Sequence, residues 1–395
     1  MLLKFNKLLV LFISLFLLVF FYNISFAEKT VNIDFKIPDD ACVAANGDQS
    51  NNYSQPFEQD SNNNILNLNV TPGTNCFICG GAGQGEVLKP DNPTTLLGDV
   101  RNNTLNVNCN IDDVCFLFGG VTSTGTVSRN TVNVHSGSSS SEVIVIGGSV
   151  FYSSSAENNT VNIYKDFSCK GVVGGMVIRN GTSSFNTVNI FSKLNISIGN
   201  NEGVFGGRVD GDGSSMNNSV NIYGSITTQE DVNISGGYVD GSGSANSNSI
   251  NISGHTQSNG DLKIYGGNVN IGGSADSNSV IISGNIHSGQ ELMLYGGSVG
   301  NNGSANSNCI DISGYIHSGE RLEIVGGEVK GGGSANNNRV NISGNIESNG
   351  NIDITGGRGD DTAGNVISIS GKIGSTGIVT IAGSDDNNSG ANNKV

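Results

Sequence analysis

The fold class this sequence predicts is all-β: a right-handed parallel β-helix of about ten coils, with roughly 30 residues per coil. Three observations carry that expectation. Asn218, Asn248, Asn278, Asn308 and Asn338 recur at a constant step of 30 residues. Glycine pairs beginning at Gly236, Gly266, Gly296, Gly326 and Gly356 keep the same step. Between these markers apolar and polar residues alternate, as at Val280/Ile282 and Leu292/Leu294. A fixed period of this length marks stacked repeats, and the two-residue alternation marks strands with one buried face.

One repeat carries too few aliphatic side chains to offset the entropy of ordering its backbone, so neighbouring copies must share a core and coil-to-coil hydrogen bonds. In a coil of one repeat per turn, like residues stack about 4.8 Å apart. The five asparagines then form a ladder of amides at a turn. Ile222, Ile252, Ile282, Ile312 and Ile342 make one aliphatic spine, and Ile234, Ile264, Leu294, Ile324 and Ile354 a second. The competing arrangement is antiparallel, because Ser258-Asn259-Gly260 and Ser348-Asn349-Gly350 resemble two-residue hairpin turns. Strict identity of every turn position favours stacked coils.

In chain order, residues 1–27 read as a signal peptide. Lys4 and Lys7 precede an apolar run, and Ser25-Phe26-Ala27 supplies the small residues of a cleavage site. The remainder is therefore expected to be exported, to the cell surface or medium or to a periplasm. Residues 28–100 hold all five prolines and read as an N-terminal cap with irregular first coils. Residues 101–383 are the β-helix repeats, looser at first: Asn103, Asn130, Asn159, Asn186 and Asn218 follow one another at steps of 27 to 32. Residues 384–395 form a polar C-terminal tail. Loss of Lys4 and Lys7 moves the formal net charge from −15 to −17, which excludes nucleic acid as a partner on electrostatic grounds.

The segments Gly-Asn-Ile-x-Ser, an aliphatic pair and Gly-Gly at 284–297 and 344–357 are similar to repeats of filamentous-haemagglutinin-like adhesins. Asn-x-Val-x-Ile-Ser-Gly likewise resembles repeats of bacterial autotransporter passenger regions. The likeness covers roughly residues 100–383 and rests on composition and period. It implies a right-handed β-helix displayed at a bacterial envelope and acting in adhesion, with host or neighbouring-cell glycans or proteins as partners. The passenger families end in a membrane barrel of alternating strands, and the pattern after Gly383 does not continue in that form.

Few residues point to chemistry. Cys76 and Cys115 each stand four residues before a glycine pair, so they should meet in adjacent coils as a disulfide or as packed thiols. His287 and His317 are register equivalents without an evident third metal ligand. Asp210, Asp212, Asp360 and Asp361 sit in glycine-rich corners and are weak calcium candidates. Arg358-Gly359-Asp360 forms an integrin-type tripeptide. Tyr265 and Tyr295 should stack beside the glycine corner on an outer face, where they could hold sugar rings. No cofactor is expected, and the function expected is structural and adhesive rather than catalytic. Two alternatives stand beside it: a polysaccharide-active β-helix, which needs a groove lined by acidic and basic residues, and a self-assembling surface-layer or fibre subunit.

Overall fold

The structure, a computed structural model, describes residues 29–34, 37, 42–45, 61–73, 76–83, 96–140, 142–197, 203–384 and 392–395. Residues 1–27, expected from the sequence to be a signal peptide, lie outside these residues. The chain is an all-β parallel solenoid of four sheets, and the strand pairs within each sheet run parallel. In the coil that begins at Gly273, the chain passes through Gly273–Ser274, Ser279–Ile282, Asn285–Ser288 and Leu292–Val299 before repeating at Gly303–Ser304. Sheet 1 holds the Ser279–Ile282 strand and its equivalents, twelve strands from Lys29–Ile33 to Val366–Ile369. Sheet 2 holds eight strands from Phe167–Cys169 to Ile373–Ser375, and sheet 3 twelve from Cys42–Ala44 to Val379–Ser384. Sheet 4 holds ten short strands from Ser61–Asn62 to Gly333–Ser334.

The glycine pairs settle the register. Gly81, Gly120, Gly148, Gly175, Gly207, Gly237, Gly267, Gly297, Gly327 and Gly357 stack in that order, nine turns of the coil. Ile222 to Ile342 and Ile234 to Ile354 form the two expected spines, buried in one continuous core between sheets 1, 2 and 3. The hairpin alternative fails. Ser258 ends one strand of sheet 2 and Leu262 opens a strand of sheet 3, so Ser-Asn-Gly is a corner between sheets. Its backbone bonds to the coil before it, Asn259 N–H donating to the Thr228 carbonyl at 3.1 Å.

A second, smaller core lies beyond the glycine bend. Val150, Val177, Val209, Val239, Val269, Val299 and Val329, from the far arms of sheet 3, pack on Ala156, Ala245, Ala275 and Ala305 beside sheet 4. The asparagine column stands at that bend. Each ladder asparagine from Asn64 to Asn338 donates its backbone N–H and its Nδ2–H to the Oδ1 of the next, at 2.8–3.2 Å. Asn365 continues the run by donating its N–H to Asn393. These amides are buried and paired, which buried polar groups require.

The same column explains the glycines. A Cβ on Gly207 would lie 2.3 Å from Asn218 Nδ2, and a Cβ on Gly206 2.5 Å from the Gly236 carbonyl. The residue before each ladder asparagine turns the corner in the left-handed region. Asn63, Asn102, Arg129, Asn158, Phe185, Asn217, Ser247, Ser277, Ser307 and Asn337 all have φ of 55–58° or 59°. Asparagine tolerates that conformation, whereas arginine and phenylalanine strain in it.

The irregular N-terminal region contains early coils. Lys29–Ile33 pairs in register with Asn64–Leu68, which pairs with Thr104–Val107, so coiling begins at the first described strand. Ile37, Val43 and Ala45 are buried against the end of the main core.

Candidate binding groove

Side chains on the outer side of sheet 3 face away from both cores, yet many are buried. Phe205 is 3% exposed, Tyr295 5%, Glu323 4% and Glu328 3%. The bend at each glycine pair makes an inside corner, and stacking turns that corner into a groove along the rod. Its composition changes from coil to coil. Phe77, Phe116 and Phe118 stack at the N-terminal end with centroids 4.7–6.4 Å apart. Phe205, Tyr238, Tyr265 and Tyr295 occupy the middle, and Glu323, Glu328, Asp353 and Arg358 the far end.

In the middle, one register position reads Phe205, Ser235, Tyr265, Tyr295, Val325. Tyr265 and Tyr295 stack as expected, 5.1 Å between centroids and 7° between planes. Ser235 interrupts the column, and a cavity of about 190 Å³ opens there, lined by Phe205, Asn233, Ser235, Tyr238, Lys263, Tyr265, Asn268 and Asn270. Tyr238 meets Phe205 edge-on at 5.6 Å, and the Arg208 guanidinium lies over both rings. Burial raises the Tyr265 phenol above its ordinary range, helped by the Glu328 and Glu323 charges, so the phenol stays neutral.

The acidic end is internally compensated. Arg358 donates to Glu323 Oε1 at 2.7 Å, to Glu328 Oε1 at 2.9 Å and to Asp353 Oδ2 at 3.1 Å. Arg321 donates to Glu323 at 2.9 Å, and the Tyr295 hydroxyl donates to Glu323 Oε2 at 2.7 Å. Burial pushes the Glu323 carboxyl up, but the Arg358 and Tyr295 hydrogen bonds and the guanidinium charges outweigh it and hold the group below its usual value. A general acid needs the opposite shift. The acidic and basic lining that a polysaccharide-active β-helix would need is present, arranged as mutual ion pairs.

The remaining sequence candidates disperse. Cys76 and Cys115 are register partners in sheet 3. Cys115 is a buried free thiol, so the contact is thiol packing and not a bond, and burial raises its pKa well above the ordinary value. Among the calcium candidates, Asp210 pairs with Arg208 at 2.5 Å and Asp212 accepts the Ser242 N–H at 2.7 Å. Asp361 accepts from the Asn336 amide at 3.0 Å, while Asp360 lies beside Gly332 in the next corner. No cluster of three metal-ligating side chains occurs among the described residues. Arg358 of the tripeptide is committed to the groove ion pairs. His287 and His317 stack at 4.9 Å, as register equivalents should.

Sequence reasoning missed a second aromatic column. His135, Tyr164, Phe191 and Tyr223 stack at 5.0–5.2 Å on an outer corner after sheet 1. Each follows directly on the aliphatic that ends a sheet 1 strand, which is the signal that finds them. Their faces cover one another, so ring edges meet solvent.

These features define a parallel β-solenoid with an aromatic groove. Comparison with protein-family models, curated proteins and solved structures finds no match to the chain.

Proposed function

We propose that this protein is an exported, non-catalytic rod of a bacterial envelope or cell surface that binds extended glycans along the sheet 3 groove. The Tyr265–Tyr295 stack beside an open, amide-rimmed cavity carries this reading. An exposed tyrosine face with hydrogen-bonding groups around it suits a sugar ring, which has an apolar face and a hydroxylated edge. The groove follows the coil axis, so a polymer chain can run parallel to the rod. The resemblance of the repeats to adhesin and passenger regions points the same way, as does the signal-like segment at 1–27. The ion-paired state of the groove carboxylates supports the non-catalytic part of this reading.

The test is co-sedimentation of the full chain with insoluble neutral and acidic polysaccharides, comparing the natural protein with Tyr265→Ser and Tyr295→Ser. Retention that falls at least about fivefold in both variants is expected, since stacked aromatics contribute about 1 kcal/mol or more each. Equal retention in all three proteins, or release of new reducing ends, overturns the reading. Protease accessibility on intact cells tests display at the surface; an inaccessible protein in an intracellular fraction would remove that part.

A further inference from the structure

The groove contains one place where its aromatic column is interrupted, and the surroundings of that gap are specific. Phe205 and Tyr265 occupy the same register position two coils apart, with Ser235 between them. Two coil steps amount to roughly 9.6 Å. The stacked pair at 5.1 Å shows that one coil step accommodates one ring. A single six-membered ring therefore fits the Ser235 level, between Tyr265 and the Phe205–Tyr238 pair. The cavity of about 190 Å³ equals roughly six liquid waters, which suits one such ring and its substituents.

The rim selects the chemistry of that ring. Asn233, Asn268 and Asn270 carry amides at the cavity edge, and Ser235 a hydroxyl. The Ser235 hydroxyl donates to the Gly237 carbonyl at 2.8 Å, and the Asn270 amide to the Tyr238 hydroxyl at 2.7 Å and to Asp240 at 2.8 Å. The rim is thus a held polar frame whose remaining hydrogen-bonding capacity, with the Asn233 and Asn268 amides, suits sugar hydroxyls better than a bare aromatic ring. Lys263 also lines the cavity and, among the described residues, has no carboxylate within ion-pair distance. In a chain with 34 acidic residues against 19 basic ones, a lysine left without an acidic partner inside a cavity is a receptor for an anion. Two to three coils further on, Glu323, Glu328 and Asp353 outnumber the arginines Arg321 and Arg358. A polyanion extending that way would be repelled, whereas an isolated carboxylate beside Lys263 sits about one screening length from them.

We propose that this gap is a subsite for one carboxylated sugar ring in an otherwise neutral glycan. The ring takes the column place left by Ser235 against Tyr265, and the carboxylate meets the Lys263 ammonium. The proposal rests on the glycan-binding reading of the groove and adds a charge preference to it.

Calorimetric titration of the full chain with two probes tests it: a neutral glucose disaccharide, and the same disaccharide ending in glucuronate. The acidic probe is expected to bind about tenfold more tightly, an advantage that shrinks as salt is raised. Lys263→Met should abolish the advantage, read as the ratio of the two probes' affinities for the same variant. Ser235→Phe should fill the gap and remove binding of both probes; Tyr265→Ala does the same by removing the platform should the larger ring perturb folding, which circular dichroism reports. Equal affinity of the natural protein for both probes overturns the charge preference but leaves glycan binding standing, and so does a preference that survives Lys263→Met. Full binding of both probes to Ser235→Phe overturns the placement. Failure of both probes to bind the natural protein overturns the glycan reading itself.

Discussion

Coils between Asn103 and Gly207 and coils between Asn218 and Gly357 share one interior and differ outside. In both, the ladder asparagine bonds to the next coil and lies under a glycine: Asn159 meets Gly148 as Asn278 meets Gly267. In both, the preceding residue turns through the left-handed region. Outside, the earlier coils carry corner loops of unequal length, an exposed aromatic column and an asparagine column on the outward face of sheet 1 that runs from Asn106 to Asn221. The later coils keep equal spacing and present the Tyr265–Tyr295 groove and the Arg358 ion pairs. The difference teaches that regular spacing is not what holds the coil. What holds it is the contact between asparagine, glycine and the neighbouring backbone, and loops between those points vary at little cost.

The sharpest way to break that claim is to add one methyl group to the shared interior of each region. Gly148→Ala would place Cβ 2.5 Å from Asn159 Cγ, and Gly297→Ala 2.1 Å from the Ala275 carbonyl. Both should lose about 3 kcal/mol, the upper end for overpacking, because the Asn159 amide is held by its ladder hydrogen bonds and the Ala275 carbonyl is backbone, so neither withdraws freely. Urea midpoints check this, and a large loss in one region with none in the other would separate their interiors. Asn159→Ala and Asn278→Ala come next. Each strands the backbone N–H and the amide of the preceding ladder asparagine, at a loss of about 2 kcal/mol in either region.

Corner strain sharpens the comparison from the other side. Phe185 is 56% exposed at φ 55°, so Phe185→Gly should stabilise the earlier coils by about 1 kcal/mol. Asn217→Gly, at the same φ of 55° where the later coils begin, should gain less, since asparagine already accepts the conformation. Thermal midpoints compare the two.

The smallest effect is a pH dependence confined to the later coils. Burial lowers the His287 pKa, and the neighbouring His317 and His255 lower it further. A histidine with a depressed folded pKa stays neutral while the unfolded chain takes up a proton near pH ~6.5, so stability falls as pH drops below that value. The loss levels off below the folded pKa. Urea midpoints compared at pH ~7.5 and pH ~5.5 should show a drop that His287→Gln reduces; an unchanged drop would remove the histidine stack as its source.

Much of the coil was legible because a solenoid writes local rules periodically. Asn218 and Gly236 announce the column and the bend, and Ile222 and Ile234 the two spines. The aromatic column from His135 to Tyr223 escaped because its members lie at uneven steps of 29, 27 and 32 residues. The left-handed corners escaped where the residue was Arg129 or Phe185, neither of which signals that conformation. The groove was half visible. Tyr265 and Tyr295 are plainly equivalent in sequence, but the meaning of Ser235 needs Phe205 placed on its other side, and Gly206-Gly207 fixes that register only once the strands pair.

The sequence by itself determined that like residues stack, since period, alternation and the glycine pairs leave a parallel coil as the arrangement that buries the aliphatics and pairs the asparagines. Only the tertiary structure decided that the glycine bend separates two cores and folds sheet 3 into an inside corner. That outcome depends on the far arm packing its valines on the alanines beside sheet 4, a contact between segments that no local pattern specifies. The same bend brings Arg358 onto Glu323 and Glu328 and leaves Lys263 lining an open cavity.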